Sequence, residues 1–447
     1  MQLSKKTNIA AKLATATCVL LGSTQPQAET TASEDWQFDT AILYYGETDR
    51  VSLVEGVVSA TKDFGDDHVF NGKITYDGLT GASATGAVAQ NEVQTFSRPS
   101  GKGGYQVAAN TTPLDDTFRD SRVQLNANWS QPLGSDMAGG AGVHLSKEYD
   151  YLSVGLNGNL AFDFNQKNTT LSVGASFQYD QIDPVGGKPV GLSSMPVRPY
   201  SEYDHDNDDD ESNSEISDDF YDSAFAAQYR EREKSEDKNT VDALVGVTQV
   251  INRRTVMQLN YGLSIADGYL NDPYKLLSVV DTSGVTQDIV FEERPDSRTK
   301  HNVFWQTKYA MDNGVADVSY RYMQDDWDIQ SHTIESRLRF NVGESGYIQP
   351  HLRYYQQGAA EFYRPFLMAD EALPEYASAD YRLGEMTSYT VGIKYGQKRA
   401  NGHDWAVRLE YYQQNPENAG FAEPEALQRQ DLYPSIKAMI LQFNYSF

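Results

Sequence analysis

One cysteine, Cys18, is all the chain contains, and it sits in an N-terminal stretch laid out like a cleaved leader. Lys5, Lys6 and Lys12 precede and enter an apolar run over 10–21, and small or polar residues follow to Ala28. That is a secretory signal by length and order, too short to span a membrane, with cleavage expected after Ala28. Cys18 lies in Thr-Ala-Thr-Cys with more apolar residues behind it, which argues against lipid attachment. It leaves with the leader, so residues 29–447 are expected to hold no disulfide, no thiolate nucleophile and no cysteine-bound metal or c-type haem.

Beyond the leader there is no continuous apolar run of about 18 residues, which excludes helical membrane spans. Positive charge is scarce as well: 37 Lys and Arg stand against 63 Asp and Glu, for a formal charge of −26. A surface that acidic repels nucleic acid and argues against a DNA or RNA partner. The seven histidines show no ligand spacing and no His-Glu-x-x-His pattern. There is no Gly-x-Ser-x-Gly elbow, so nothing in the residues asks for hydrolase chemistry.

Aromatic residues are present in force, with 29 Tyr, 18 Phe and 5 Trp. The terminal stretch SIKAMILQFNYSF, residues 435–447, puts Met439, Leu441, Phe443, Tyr445 and Phe447 on one parity. Ile440, Gln442, Asn444 and Ser446 take the other, a period of two that marks a strand with one apolar and one largely polar face. A terminal strand with Phe443, Tyr445 and a final Phe447 resembles the C-terminal signal read by the outer-membrane barrel assembly machinery. The same period recurs over 36–45, 51–62, 69–77, 122–130, 138–148, 152–164, 170–180, 241–251, 256–266, 302–310, 315–323, 333–340, 347–355, 388–395 and 405–412.

That makes sixteen candidate strands, each near the ~9–11 residues a tilted strand needs to cross a bilayer. The second and fifth are the weakest, and losing one hairpin would leave fourteen. The expected fold is all-β: a transmembrane up-and-down antiparallel barrel in one domain, 29–447, in the cell outer membrane. A soluble β-sandwich or solenoid is the other architecture such strands allow. With the C-terminus in the periplasm, the turns near Phe64, Gly134, Asn165, Asn252, Asp312, Gly343 and Arg399 are periplasmic. The long segments 78–120, 181–239, 267–298, 356–387 and 413–434 then fall outside, the asymmetry of outer-membrane barrels.

A barrel of this size encloses water or a plug. The inward parity carries Lys73, Arg122, Lys308, Arg321, Arg337, Arg339, Arg353, Lys394 and Arg408, against Asp39, Glu55, Asp163, Asp317, Glu335 and Glu410. The basic members gather toward the C-terminal half. An anion-selective pore and a lumen lined by mutual salt bridges both follow from that pattern. In the loops, EYDHDNDDDESNSEISDDFYD (202–222) is dense in carboxylates. It offers oxygen ligands to a hard cation such as calcium, yet it lacks the glycine and closing glutamate of an EF-hand loop and reads better as a solvated tract.

One short motif points to chemistry. Asp77-Gly78-Leu79-Thr80-Gly81-Ala82-Ser83 resembles the acceptor motif of periplasmic flavin transferases, in which the last hydroxyl receives FMN through a phosphoester. Carried over, Asp77, Thr80, Gly81 and Ala82 would frame the acceptor Ser83. Asp-Gly followed by Thr-Gly is also what a chain does on leaving a strand. The stretches LYYGETDRVSLVE (43–55), KDFGDD (62–67), YDGLTGASATGAV (76–88), QTFSRPSG (94–101), Pro113 to Arg122, SKEYDY (146–151), DFNQKNTTLSVG (163–174) and IDPVGGKPV (182–190) resemble the outer-membrane family catalogued as domain of unknown function 3570. The resemblance spans most of the chain and implies the barrel. It also implies a gene neighbourhood holding a flavin transferase and a small lipoprotein, which would favour covalent FMN on Ser83 and extracytoplasmic electron transfer. The acidic insert 202–222 lies outside the shared pattern. Two functions stand as expectations: a flavin-bearing redox barrel, or a passive porin-like channel or scaffold without cofactor.

Overall fold

A computed structural model describes residues 36–99, 103–197, 235–399 and 402–447, the side chains of 116–118 excepted. The expected leader, the acidic insert 202–222 and part of the turn at Arg399 lie outside the described residues. Sixteen strands close into one antiparallel barrel. Its wall opens with β1 (Gln37–Glu47), β2 (Val51–Asp63) and β3 (Val69–Ala84). A separate hairpin, β4 (Gln94–Ser97) with β5 (Gly104–Val107), interrupts it before β6 (Leu114–Pro132). The wall continues through β7 (Met137–Lys147), β8 (Tyr151–Phe164), β9 (Thr169–Ile182), β10 (Glu236–Asn252) and β11 (Thr255–Gly268). Two short strands, β12 (Leu276–Val280) and β13 (Thr286–Phe291), again leave the wall. It resumes with β14 (Ser297–Met311), β15 (Gly314–Asp325), β16 (Gln330–Val342) and β17 (Gly346–Gln357). After the two-residue β18 (Leu367–Met368) it ends with β19 (Met386–Lys398), β20 (Asp404–Pro416) and β21 (Ile436–Ser446).

Closure is made by β21 on β1, in register from Asp39↔Ser446 to Glu47↔Ala438. Phe38 and Phe447 then exchange backbone hydrogen bonds of 2.8 and 2.9 Å below the last ladder pair. Both strands of weak signal, β2 and β7, take full places in the ladder, so the count is sixteen and not fourteen. The odd-even alternation sorts as expected. Ile42, Tyr76, Leu156, Leu352 and Phe443 stand outward and exposed, and the paired parity of every strand faces the lumen. The outward band is therefore apolar around the whole circumference, as a lipid-facing belt must be.

Aromatic residues mark the two rims. At the short-turn rim Phe38 stacks on Phe447 at 5.4 Å, Phe64 meets Trp129 at 5.5 Å and Tyr395 meets Trp405 at 5.6 Å. At the opposite rim outward tyrosines turn their hydroxyls to polar partners: Tyr179 donates to Asp237 at 2.6 Å and Tyr411 to Gln413 at 2.9 Å. Amphipathic rings at both edges of an apolar belt suit membrane–water interfaces. The tight turns use left-handed backbone where Asn or Asp tolerates it, as at Asn165 (φ 51°) and Asp66 (φ 51°).

The structure corrects the sequence reading of the long segments. The wall rises further on the long-loop side than alternation alone suggested: β3 runs to Ala84, β6 begins at Leu114 and has 19 residues, and β10 has 17. Residues 78–84, expected in a loop, are wall. The loops themselves are folded. β12 pairs antiparallel with β13 and parallel with β18, and apolar clusters pack around this small sheet. One joins Ala87, Phe96, Val107, Met195, Leu276 and Phe291; another joins Leu277, Val290, Leu367 and Ala377. Trp327 meets Phe362 edge-on at 5.0 Å in a third, with Tyr363 and Leu383. Within the barrel wall the described residues form only the small cluster Ala138–Ala161. The apolar core of this chain is thus in a cap, not in the barrel.

Leu277 is fully buried at the centre of that cap, and Leu277→Ala is expected to weaken the cap by about 2–5 kcal/mol. Hydrogen exchange should speed up in β12 and β13, while the barrel keeps its heat-modifiable migration in detergent gels. Loss of both together would show that cap and barrel fold as one unit.

Candidate functional site: the lumen wall and its cap

The residues expected at the flavin motif all lie in β3. Asp77 faces the lumen and is buried, and Arg122 grips it with Nε at 3.0 Å and Nη2 at 2.6 Å. Thr80 points to the outward parity. Gly81 takes φ 135°, and a Cβ there would stand 2.3 Å from the Arg50 carbonyl oxygen, so only glycine fits between β2 and β3. Ala82 donates its N–H to the same carbonyl at 3.3 Å. The β3–β6 register shifts between Gly81 and Ser83, and Ser83 pairs with Asp115 beyond the shift. Ser83 is half-buried there. Its cross-strand partner Asp115 lines a small cavity with Thr85, Tyr274 and Leu276, and Ser83 itself does not line it.

The basic residues read from the C-terminal half do share one side of the lumen. Cross-strand register places Arg321, Arg337, Arg339, Arg353, Lys394 and Arg408 on the inner face of β15–β20. They divide into two kinds. Arg337 is paired with Glu335, and Arg408 lies 3.7 Å from Glu410. Between them His351 links both carboxylates, Nδ1 to Glu410 at 2.7 Å and Nε2 to Glu335 at 3.2 Å. The span across β19 works because Gly392 sits between: a Cβ there would meet Glu410 Cγ at 2.4 Å. Arg321, Arg339, Arg353 and Lys394 instead form no ion pair among the described residues. Arg321 lies over the Phe304 ring at 5.5 Å, and Arg339 over Tyr347 at 4.0 Å.

The opposite wall is of different chemistry. On β6–β11 inward glycines alternate with asparagines that lie flat across them. A Cβ at Gly142 would meet Asn128 Oδ1 at 2.1 Å, and one at Gly246 would meet Asn260 Oδ1 at 2.3 Å. Side chains of one strand thus fill the gap left by glycine on the next, which keeps that wall smooth and polar. Its acids are held close: Asp180 pairs with Lys238 at 2.8 Å, and Asp163 accepts from Thr170 at 2.7 Å. A lumen with one smooth amide wall and one cationic wall carries a transverse field, since fixed charges on one side of a confined space are weakly screened.

Above the lumen the cap is tied to the rim at several points. Lys275 Nζ donates to the Ala84 carbonyl at 2.5 Å, Trp327 Nε1 to that of Ser297 at 2.9 Å. From the wall, inward Gln357 donates Nε2 to the carbonyls of Arg382 and Gly384 at 2.9 and 2.8 Å. Within the cap runs an ion network, buried at Glu292, Arg294 and Asp380 and reaching the surface at Arg382. Arg294 bridges Glu292 (2.7 Å) and Asp380 (2.9 Å), and Arg382 clamps both oxygens of Asp380 through Nε while reaching Asp272 at 2.6 Å. Burial alone would raise Asp380, but Arg382, Lys275 and Arg294 hold its carboxyl well below the ordinary range. Glu292 goes the other way: burial, with Asp272 and Asp380 nearby, outweighs Arg294 and pushes it up to about 7.

Sequence reasoning missed His351, the Gly–Asn wall and the cap network. His351 and Gly392 sit at inward parity beside Glu335 and Glu410, a signal available only once strand neighbours are paired. The network joins 272, 292 and 380, which no spacing rule connects.

The barrel closed by strand pairing, the apolar outer belt and the aromatic rims define a transmembrane β-barrel of the outer-membrane type. A family model described as "Protein of unknown function (DUF3570)" matches residues 10–447, and the chain belongs to that family. Among solved structures it is similar to a bacterial polysaccharide outer membrane secretin, at 10% identity over 93% of this chain and 98% of that one, with a TM-score of 0.40. It is similar also to the CymD monoaromatic hydrocarbon channel (8%, 92% and 88%, TM-score 0.37). The siderophore receptor PirA from Acinetobacter baumannii matches at 8% identity over 86% of this chain and 53% of that one, TM-score 0.39; the chain spans about half of that receptor's length. Comparison with curated proteins gave no match.

The raised Glu292 carboxyl has a defined pH consequence. The closed cap holds a proton that the opened cap releases once pH exceeds the ordinary value of 4.5. The cap therefore loses stability as pH rises from about 4.5 to 7, while Asp380 withdraws its support only in stronger acid. After correction for intrinsic rates, exchange in β12–β13 should be faster at pH 8 than at pH 5.5, and Glu292→Gln should flatten the difference. A cap that tightens with rising pH would contradict this assignment.

Proposed function

We propose that this protein is an outer-membrane conduit for anionic solutes, closed at its extracellular mouth by the cap. The observation that carries the reading is the one-sided lumen: Arg321, Arg337, Arg339, Arg353, Lys394 and Arg408 line β15–β20, while the facing wall is largely amide. Cations so placed raise the local concentration of anions and bar small cations. The cap accounts for the long loops, which would otherwise be costly to order. Outer-membrane lipid surrounds the apolar belt, and the barrel assembly machinery would read the terminal strand with Phe443, Tyr445 and Phe447.

Planar bilayers under a potassium chloride gradient test the reading. The intact protein should conduct little, Arg382→Ala should open it more often, and its reversal potential should favour chloride. Neutralising Arg337 and Arg353 together should move that potential toward zero preference. A cation-selective or permanently silent Arg382→Ala barrel would overturn the proposal.

A second reading rests on the register shift beside Ser83, which interrupts the ladder next to the half-buried residue the motif singles out. Here Ser83 carries FMN, supplied by a periplasmic flavin transferase, and the barrel works in extracytoplasmic electron transfer, with a small lipoprotein as partner. The flavin would supply electron transfer; Asp77, Thr80, Gly81 and Ala82 shape the acceptor strand. Ser83 is paired with Asp115 across β6, so attachment would precede entry of β3 into the ladder. Protein made alongside the transferase should then give an ultraviolet-fluorescent band in a denaturing gel, absent in Ser83→Ala. A dark wild-type band ends this reading and leaves the conduit untouched.

A further inference from the structure

The inner wall contains one row of residues whose charges are not balanced within it. Arg337↔His351 and Phe340↔Ile348 bracket a register in which Arg339 faces Gln349. Gln349 pairs with Lys394, and Lys394 with Arg408. The row across β16, β17, β19 and β20 thus reads Arg339, Gln349, Lys394, Arg408, and it contains no carboxylate. Arg337 stands on the same face one step along β16. The charged neighbours of Lys394 are Arg408, Arg339 and Arg337, all cations. Glu335 and Glu410 belong to the next row, where they meet His351 and also reach Arg337 and Arg408, which leaves Arg339 and Lys394 without an acid partner among the described residues.

Two features mark this row. Tyr347 carries Arg339 at 4.0 Å from its ring centroid and Lys394 at 6.0 Å, so one aromatic ring holds a cation from each neighbouring strand. Pro350, next to Gln349, has no N–H to give, and no ladder pair joins β16 to β17 between 337 and 340. The side chains project from adjacent strands about 4.7–4.9 Å apart onto a concave surface. Like charges held this close repel, and a multivalent oxyanion laid among them would relieve the repulsion while accepting hydrogen bonds from several guanidinium and ammonium donors.

We infer that Arg339, Lys394 and Arg408, with Gln349 between them and Arg337 beside them, form a binding site for a multivalent oxyanion of the phosphate or polycarboxylate class. The inference rests on and deepens the anion-conduit reading, since it places the solute on a defined stretch of wall. It distinguishes the row from the other lumen cations: Arg321, over Phe304 on β15, belongs to a different row and adds only to the general field.

Purified full-length barrel in detergent, titrated calorimetrically at fixed ionic strength, tests this. Pyrophosphate should bind saturably, and sulfate more weakly; chloride should give only dilution heat. Arg339→Gln and Lys394→Gln should each weaken pyrophosphate binding roughly tenfold or more, whereas Arg321→Gln should change it less than twofold. Heat-modifiable gel migration shows whether each variant is folded, and Lys394→Arg, which keeps the charge, should retain binding. No saturable pyrophosphate binding, or equal losses in all three glutamine variants, overturns the site. Bilayer selectivity without pyrophosphate binding leaves the conduit and removes the site; binding by a barrel that never conducts does the reverse.

Discussion

Everything in this structure depends on the ladder being closed. A backbone N–H or C=O left unpaired in lipid costs several kcal/mol, so a strand in a membrane must have a partner on both sides. The β21–β1 pairing supplies the last two edges, from Asp39↔Ser446 to Glu47↔Ala438. Once that seam exists, every strand's register follows from its neighbours, and every side chain is committed to lipid or lumen. The cationic row on β16–β20 is a consequence: Arg339, Lys394 and Arg408 lie far apart in sequence and become neighbours only because register is continuous around the wall.

The second constraint is that a barrel wall has no apolar core of its own. One face meets lipid and the other meets water, so the hydrophobic burial that organises soluble domains has to occur elsewhere. Here it occurs in the cap, where Phe96, Leu277, Val280 and Leu427 are fully buried. Segments from all five long loops meet there. The buried set Glu292, Arg294 and Asp380, clamped from the surface by Arg382, gives that core a polar centre, where every charge has a partner at hydrogen-bond distance. Removing one partner of such a set is far more costly than never having built it, which makes the network an effective latch between the loops.

Strand alternation was legible because lipid enforces it. Tyr44, Ile74, Leu156 and Leu441 had to be apolar, and their partners of opposite parity were free to be polar; sixteen strands and the short-turn, long-loop asymmetry came out of that rule. Even the glycine-rich β7 obeyed it, although its inward glycines hid the signal. Strand ends were less legible on the long-loop side. Above the lipid no belt demands alternation, so 78–84 looked like a loop. The folded cap was not legible at all, since Leu277 and Leu367 carry no local period that announces a contact across some ninety residues of chain.

The sequence alone thus determined the secondary structure within the membrane, the face of each residue and the basic bias of the C-terminal strands, because each of these is a local response to a slab of hydrocarbon. Only the tertiary structure decided which cations are neutralised and which are not, where His351 sits between Glu335 and Glu410, and that the long loops pack into a cap. Those outcomes depend on distances between residues on different strands and loops, and such distances exist only after the ladder has closed.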